Sequence, residues 1–166
     1  MGERTPNRDS ILMACGVPFY ENLYVLGTLA RRVSFATQQR RAFNLPKAID
    51  DNLKRSGCPT GLKGKNIAIV GASLSGSTSA LAFSVFEANV YVYDGQKSSM
   101  AHIEKAKHRP IHPSINFWPR ESVSPTTDFP ALNWFQDSCD NVKRRIDEGH
   151  KKALENINLY LSLIHI

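Results

Sequence analysis

Residues 65–96, KNIAIVGASLSGSTSALAFSVFEANVYVYDGQ, constrain the fold of this chain more than any other stretch. The apolar run NIAIV (66–70) predicts a strand that is covered on both faces, as is usual in parallel sheets. Small and apolar residues with helical spacing follow over 76–87, and NVYVYD (89–94) predicts a second strand. This order predicts a βαβ unit with a right-handed crossover, and therefore an α/β fold.

The turn between the first strand and the helix contains two glycines, in the sequence GASLSG (71–76). Gly71 permits a tight turn after the strand, and Gly76 lets the helix pack closely on the sheet. Because backbone N–H groups at a helix N-terminus attract anions, this turn is predicted to bind the pyrophosphate of a dinucleotide. The predicted binding residues are Gly71, Ala72, Ser73, Leu74, Ser75 and Gly76.

Ser73 occupies the position at which the pattern G-x-G-x-x-G has its second glycine. If the turn has a negative φ here, the side chain costs little, and its hydroxyl is able to donate to a phosphate oxygen. A positive φ would cost about 1 kcal/mol or somewhat more for a residue with a β-carbon. Neither case abolishes binding.

Asp94 ends the second predicted strand, roughly twenty positions after Gly71. A carboxylate at this place accepts hydrogen bonds from the ribose of adenosine and repels a 2′-phosphate. The sequence therefore favours FAD or NAD over NADP. The alternative is a Rossmann-type unit that has lost its ligand.

Two segments of this unit resemble the glycine-fingerprint FAD-dependent oxidoreductases, which include amine-oxidase-like and glutathione-reductase-like flavoproteins. IAIVGASLSGSTSALA (67–82) resembles their VxVVGAGxxGLxxA start, and VYVYD (90–94) resembles their VxVxE segment. Three further stretches are similar to an uncharacterised bacterial subfamily of these proteins: QQRRAFNL (38–45), RPIHPSINFWP (109–119) and PALNW (130–134). The resemblance spans residues 33–145 and implies a flavin enzyme with further domains beyond this chain.

The chain departs from the pattern of this family at four positions, namely Ser73 and Glu87 for glycine, Ser77 for leucine and Asp94 for glutamate. These departures affect the expected affinity for the cofactor more than the expected fold.

The expected organisation is a mainly helical extension over 1–64, followed by an incomplete FAD/NAD(P)-binding Rossmann-type domain over 65–160. Within the extension we expect a short helix at 22–29, a short strand at 31–35, and a helix from Thr37 that Pro46 kinks or divides. Residues 97–137 are expected to be largely loop, with a short helix at 99–107. A further helix is predicted from Asp137 to about Leu159.

The last six residues, LSLIHI (161–166), fit poorly with the charged helical pattern before them. Codons for this hexapeptide can match a transposon end that is used to prepare sequencing libraries. We therefore expect residues 161–166 to be a non-native tail, with the native protein continuing beyond about Tyr160. The alternative is an ordinary amphipathic C-terminus.

The proline-rich loop after the βαβ unit carries a further candidate, His112, which could carry a proton or donate to the flavin or the pyrophosphate. The alternative is a loop histidine whose hydrogen bonds go to the backbone. Trp118 and Trp134 are expected to be packing anchors rather than stacking partners. Residues 38–41, QQRR, are expected to form a solvated first helical turn, with contact to the cofactor phosphates as the alternative.

Composition narrows the classes of partner. The net charge of +6 suits anionic partners, but no zinc-finger spacing or RNA-binding signature indicates nucleic acid. The three cysteines, Cys15, Cys58 and Cys139, have no disulfide or metal spacing, so we expect a cytoplasmic protein without a metal. No stretch is long enough to span a membrane.

The sequence thus predicts the FAD-binding part of a flavin-dependent oxidoreductase, which transfers hydride or electrons between an unknown small-molecule substrate and FAD. The alternatives are an NAD-dependent dehydrogenase and a non-catalytic dinucleotide-binding module, and a basic nucleic-acid-associated protein ranks last. No nucleophile–base pair is evident, but this does not argue against an enzyme, because in flavoenzymes the cofactor supplies the difficult chemistry. The catalytic residues and the oligomeric state stay unassigned, and this chain alone is expected to be inactive.

Overall fold

The computed structural model describes residues 7–26, 33–104, 106–115, 124–157 and 161–165. The α-helices of these ranges are α1 (Arg8–Cys15), α2 (Phe35–Arg55), α3 (Leu74–Val85) and α4 (Cys139–Ile157). The strands are β1 (Asn66–Val70), β2 (Asn89–Asp94), β3 (Pro110–Ile111), β4 (Asp137–Ser138) and β5 (Leu161–His165), and Ala101–Ile103 form one turn of 3₁₀ helix.

The predicted βαβ unit is confirmed. Strands β1 and β2 are parallel, with Ile67 opposite Val90 and Ile69 opposite Val92, and α3 connects them. β5 pairs in parallel with the other edge of β2, so the order of this sheet is β1-β2-β5. That pairing does not test the origin of residues 161–165, and their proposed non-native character stays a prediction.

The expectation that β1 is covered on both faces is wrong for the described residues. Ile67 and Ile69 turn toward the core, whereas Val70 on the opposite face is 84% exposed. The same alternation occurs in β2, where Val90 and Val92 are buried and Tyr91 is exposed. The residues described here cover only one face of this sheet.

The helix predicted from Thr37 forms, but it begins earlier and is not divided. α2 begins at Phe35 because Ser34 accepts a hydrogen bond from the N–H of Thr37, and the Thr37 hydroxyl accepts one from the N–H of Ser34. The helix continues through Pro46 to Arg55 and packs against α3. Pro46 has no N–H and cannot donate a helical hydrogen bond, and the tertiary contacts of its buried side chain offset this loss.

Two predicted elements of the extension are wrong where the structure describes them. Residues 22–26 are not helical, because Tyr24 forms an antiparallel bridge with Gly16, and residues 27–30 lie outside the described part. Of the predicted strand at 31–35, residues 31 and 32 lie outside the described part, and Ser34 instead caps α2.

The segment 97–137 is largely irregular in its described residues, as predicted. Only the 3₁₀ turn Ala101–Ile103 stands where a helix was expected over 99–107, and residue 105 and residues 116–123 lie outside the described part. The last helix begins at Cys139 rather than at Asp137, because Asp137 and Ser138 pair with β3.

In the described part of the chain, the buried hydrophobic side chains form two clusters, and α3 contributes to both. The first cluster lies between the sheet and the helices and includes Leu62, Ala80, Phe83, Val90 and Val92. The second joins α4 to the irregular segment and includes Leu74, Met100, Ile103, Trp134, Val142 and Ile146. Among the helices of the described residues, none combines the length and apolar character needed to cross a lipid bilayer.

Candidate nucleotide-binding site

Gly71 makes the turn that leads from β1 to α3. Its φ of 97° lies in the region that disfavours residues with a β-carbon, so glycine is required for conformational reasons. A β-carbon there would meet no atom within 4 Å, which excludes crowding as the reason. The N–H of Gly71 donates to the carbonyl of Tyr93 at 2.7 Å, so the turn starts at the end of the sheet ladder.

Gly76 is required for a different reason, which is close packing. A β-carbon at Gly76 would lie 1.8 Å from the carbonyl oxygen of Gly71, well inside any permitted contact. The first turn of α3 therefore approaches the backbone of the turn as the sequence predicts.

Ser73, the position without its glycine, is unstrained. Its φ of −67° and ψ of 179° are ordinary extended values, so the first of the two predicted cases applies. Ser73 is the N-cap of α3, but its hydroxyl makes no capping hydrogen bond and lies 3.2 Å from the hydroxyl of Ser75. Two hydroxyl groups therefore lie at the N-terminus of α3.

Ala72 and Leu74 do not direct side chains at a ligand, because both are buried in the core. The N–H of Ala72 donates to the carboxylate of Asp94, and its carbonyl accepts hydrogen bonds from the Ser77 hydroxyl and the Met100 N–H. The peptide groups of Ala72 are thus occupied within the protein. Leu74 contributes to a ligand site only through its backbone.

Asp94 lies at the carboxyl end of β2, next to the turn that follows β1. One carboxylate oxygen accepts the N–H of Ala72, and the other accepts the N–H of Gln96 at 2.6 Å. These two backbone donors hold the carboxylate at the carboxyl-terminal edge of the sheet, which is the edge where open α/β sheets bind ligands.

A pocket of about 290 Å³ lies at this edge of the sheet. Three of the predicted residues, Gly71, Ser73 and Asp94, line it together. Its other wall is the segment directly after β2, residues 95–104, which we call the exit loop. The lining residues from the exit loop are Gln96, Ser98, Met100, Ala101 and His102.

The sequence analysis did not assign these five exit-loop residues. One signal could have found them, because the segments that follow adjacent parallel strands leave the sheet at the same edge. His102 is exposed and stands on the 3₁₀ turn, whose neighbours Met100 and Ile103 are buried in the core. Packing therefore contributes to the position of the exit loop relative to the turn after β1.

His112 does not line the pocket. It follows β3, and its Nδ1 accepts a hydrogen bond of 3.0 Å from the N–H of Ser114. This contact agrees with the alternative of a loop histidine bonded to backbone, and a contact between His112 and a cofactor stays a prediction.

Trp134 is a packing anchor, as predicted, and Trp118 lies outside the described residues. The indole Nε1 of Trp134 donates to Oε1 of Gln39 at 2.7 Å, and Nε2 of Gln39 donates to the carbonyl of Leu132 at 3.2 Å. The expectation of a solvated turn at 38–41 is wrong for Gln39, whose exposure is 0%.

Within the described ranges, His, Cys, Asp and Glu side chains form no cluster of three that could hold a metal ion.

Comparison with protein-family models, with curated proteins and with solved structures found no match to this chain. The resemblance to the glycine-fingerprint flavoproteins therefore stays an expectation drawn from the sequence.

Proposed function

We propose that this chain is the FAD-binding part of a flavin-dependent oxidoreductase. The observation that carries the proposal is the pocket in which Gly71, Ser73 and Asp94 meet at the carboxyl ends of two parallel strands. The proposal assigns an anion and a ribose to neighbouring parts of this pocket, as binding of an adenosine diphosphate group requires.

The anion is assigned to the N-terminus of α3. The N–H groups at the start of a helix have no intrahelical acceptor, and the helix dipole attracts negative charge there. Ser73 makes no side-chain cap, and when Ser75 is the donor in the contact between the two hydroxyls, the Ser73 proton can go to a phosphate oxygen. Ser73 thus adds a donor where the usual glycine has only a backbone N–H.

The ribose is assigned to Asp94. A carboxylate has about four lone-pair sites, and the hydrogen bonds from Ala72 and Gln96 use one on each oxygen. The ionised carboxylate acts only as an acceptor, which is the role that a ribose hydroxyl requires of its partner. The negative charge disfavours a 2′-phosphate, so the proposal favours FAD, with NAD as the alternative, over NADP.

The choice of FAD over NAD comes from the sequence resemblance, because the pocket geometry suits the adenosine half that both cofactors share. A bound flavin would supply the hydride or electron transfer, whereas this chain binds and orients the cofactor. The substrate is a small molecule of unassigned class. The proposal retains a cytoplasmic location, in line with three free cysteines.

The test is purification of the protein followed by an absorption spectrum and calorimetry with FAD, NAD and NADP. We expect a yellow chromophore that denaturation releases as FAD, and no heat of binding with NADP. A colourless protein that binds NAD would replace the proposal with an NAD-dependent dehydrogenase. Binding of none of the three would leave a βαβ unit without a nucleotide and would overturn the proposal.

A further inference from the structure

The peptide groups of Ala72 join the two walls of the pocket. Its carbonyl oxygen accepts the N–H of Met100, on the exit loop, at 3.0 Å and the hydroxyl of Ser77, on α3, at 3.2 Å. Its N–H donates to the carboxylate of Asp94 at the end of β2. Three separate elements are thus hydrogen-bonded to one residue of the turn.

The hydroxyl of Ser77 extends this junction to a second point of the exit loop. It lies 3.2 Å from the hydroxyl of Ser99. A hydroxyl has one proton, and Ser77 donates its proton to Ala72, so Ser99 is the donor in the contact between the two serines. The hydrogen bonds therefore run from the exit loop to α3 and from α3 to the turn.

The exit loop forms the second wall of the pocket. Ser98 and Met100, which line the pocket, are the immediate neighbours of Ser99. Met100 has a left-handed φ of 52° and a fully buried side chain, so this part of the loop has little freedom to adjust. A shift at Ser99 is therefore transmitted directly to residues that face the ligand.

We infer that Ser77 and Ser99 are positioning residues for the nucleotide site, which hold the exit loop against the phosphate-binding turn without touching the ligand. This inference rests on the proposed function, because it assigns the two serines a role in nucleotide affinity. It also assigns a role to Ser77, which stands where the glycine-fingerprint flavoproteins commonly have leucine.

The variants Ser77→Ala, Ser99→Ala and the double variant test this inference by calorimetry with FAD, or with NAD if the protein binds NAD instead. One buried neutral hydrogen bond corresponds to a change of about three- to tenfold in an equilibrium constant. We expect each single variant to bind three- to tenfold more weakly. Ser77→Ala also removes the hydrogen bond to the Ala72 carbonyl, so it should bind at least as weakly as Ser99→Ala, and the double variant should bind about as weakly as Ser77→Ala.

Ser79→Ala is the matched control. Ser79 is on the same helix and is 1% exposed, compared with 8% for Ser77, but its hydroxyl has no partner among the described residues. We expect Ser79→Ala to keep the affinity of the wild type. Ser99 is only half-buried, so Ser99→Ala keeps the test valid if Ser77→Ala does not fold.

Hydrogen exchange of the Met100 amide provides a second measurement that requires no nucleotide. Exchange should be faster in Ser77→Ala and Ser99→Ala than in the wild type and in Ser79→Ala. If the wild type binds a nucleotide and both variants bind it equally well, only this inference is overturned. An equal loss of affinity in Ser79→Ala also overturns it, whereas failure of the wild type to bind overturns the proposed function and the inference together.

Discussion

At the scale of single residues, the backbone conformation decides where this turn needs glycine. The positive φ falls on Gly71, and the close approach to the backbone falls on Gly76. Ser73 has a negative φ, so a β-carbon is tolerated where the usual pattern has its second glycine. The conformation of the turn therefore does not require a glycine at position 73.

Gly71→Ala should weaken both folding and nucleotide binding. The alanine would have to adopt a φ near 97°, which costs about 1–2 kcal/mol of unfolding free energy. Relief of this strain moves the peptide group of residue 71 at the pocket. If this movement costs about 1.4 kcal/mol of binding free energy, FAD binds about tenfold more weakly. Urea unfolding and calorimetry measure the two effects.

Gly64→Ala is the control for Gly71→Ala. Gly64 also has a positive φ, 72°, and space for a β-carbon, but it does not line the pocket. A similar loss of stability with unchanged FAD affinity is the expected result. Equal affinities in the two variants would contradict the assignment of the turn.

Asp94→Ala should reduce affinity for FAD by roughly tenfold to a hundredfold, because hydrogen bonds to a charged group contribute about 1.5–3 kcal/mol. Asp51→Ala is the control, since Asp51 is a carboxylate of α2 that pairs with Lys47 and does not line the pocket. Calorimetric dissociation constants for FAD distinguish the two variants. Equal affinity in Asp94→Ala and the wild type would remove Asp94 from the site.

At the scale of elements, α3 forms the centre of the structure and packs against α2, α4 and both strands β1 and β2. Its residues 76–80 are Gly, Ser, Thr, Ser and Ala, and all five are buried. Small side chains let three helices and a sheet meet at short distances. The same composition places several hydroxyls in the interior, and the Ser77 hydroxyl is bonded to the turn between β1 and α3.

The packing of α4 against α3 should make stability depend on pH. Burial lowers the pKa of His150 on α4, while the nearby Ser77 carbonyl and the charge of Asp147 act in the opposite direction. The unfolded chain therefore binds a proton more readily than the folded protein. The free energy of unfolding should fall as the pH decreases from about 6.5 toward the lower pKa of the folded state.

Replacement of His150 by leucine tests this expectation by chemical denaturation at a series of pH values. His150 Nε2 has no partner among the described residues, and the substitution removes the interaction of the imidazole with the Ser77 carbonyl. The variant should lose the part of the pH dependence below about pH 6.5 that the wild type shows. An identical pH profile in the two proteins would mean that His150 does not contribute.

At the scale of the whole molecule, hydrogen bonds of one buried side chain connect distant parts of the sequence. Gln39 of α2 bonds to Trp134 and to Leu132, more than ninety positions away. Trp134 belongs to the core cluster that also contains Leu74 at the start of α3 and Met100 of the exit loop. Helix α2 is therefore part of the same folded body as the pocket.

Gln39→Ala should destabilise the protein by about 2 kcal/mol, because it leaves the indole N–H of Trp134 buried without an acceptor. Gln38→Ala is the control, since Gln38 is only half-buried, and it should change the unfolding free energy by less than about 0.5 kcal/mol. Thermal or urea unfolding compares them. Equal stability of the two variants would contradict a structural role for Gln39.

Several features could be predicted from the sequence because they depend on neighbouring residues. The βαβ unit follows from the spacing of apolar residues between 66 and 94, and the need for Gly71 and Gly76 follows from the turn between strand and helix. A helix in this region could also be predicted, although neither its start at Phe35 nor its undivided passage through Pro46 could. The reciprocal cap between Ser34 and Thr37 lacks the usual acidic or amide side chain at the third helical position.

Other features were decided by tertiary structure. By itself, the sequence determined strands β1 and β2, the turn between β1 and α3 and the acid at the end of β2, because strand periodicity, glycine conformation and position along a strand are local properties. Only the folded chain decided that β1 is covered on one face in the described residues, that Gln39 is buried, and that the exit loop forms the second wall of the pocket. These outcomes depend on how the helices and the exit loop pack around β1 and β2. Contacts between side chains that are far apart in the sequence determine this packing.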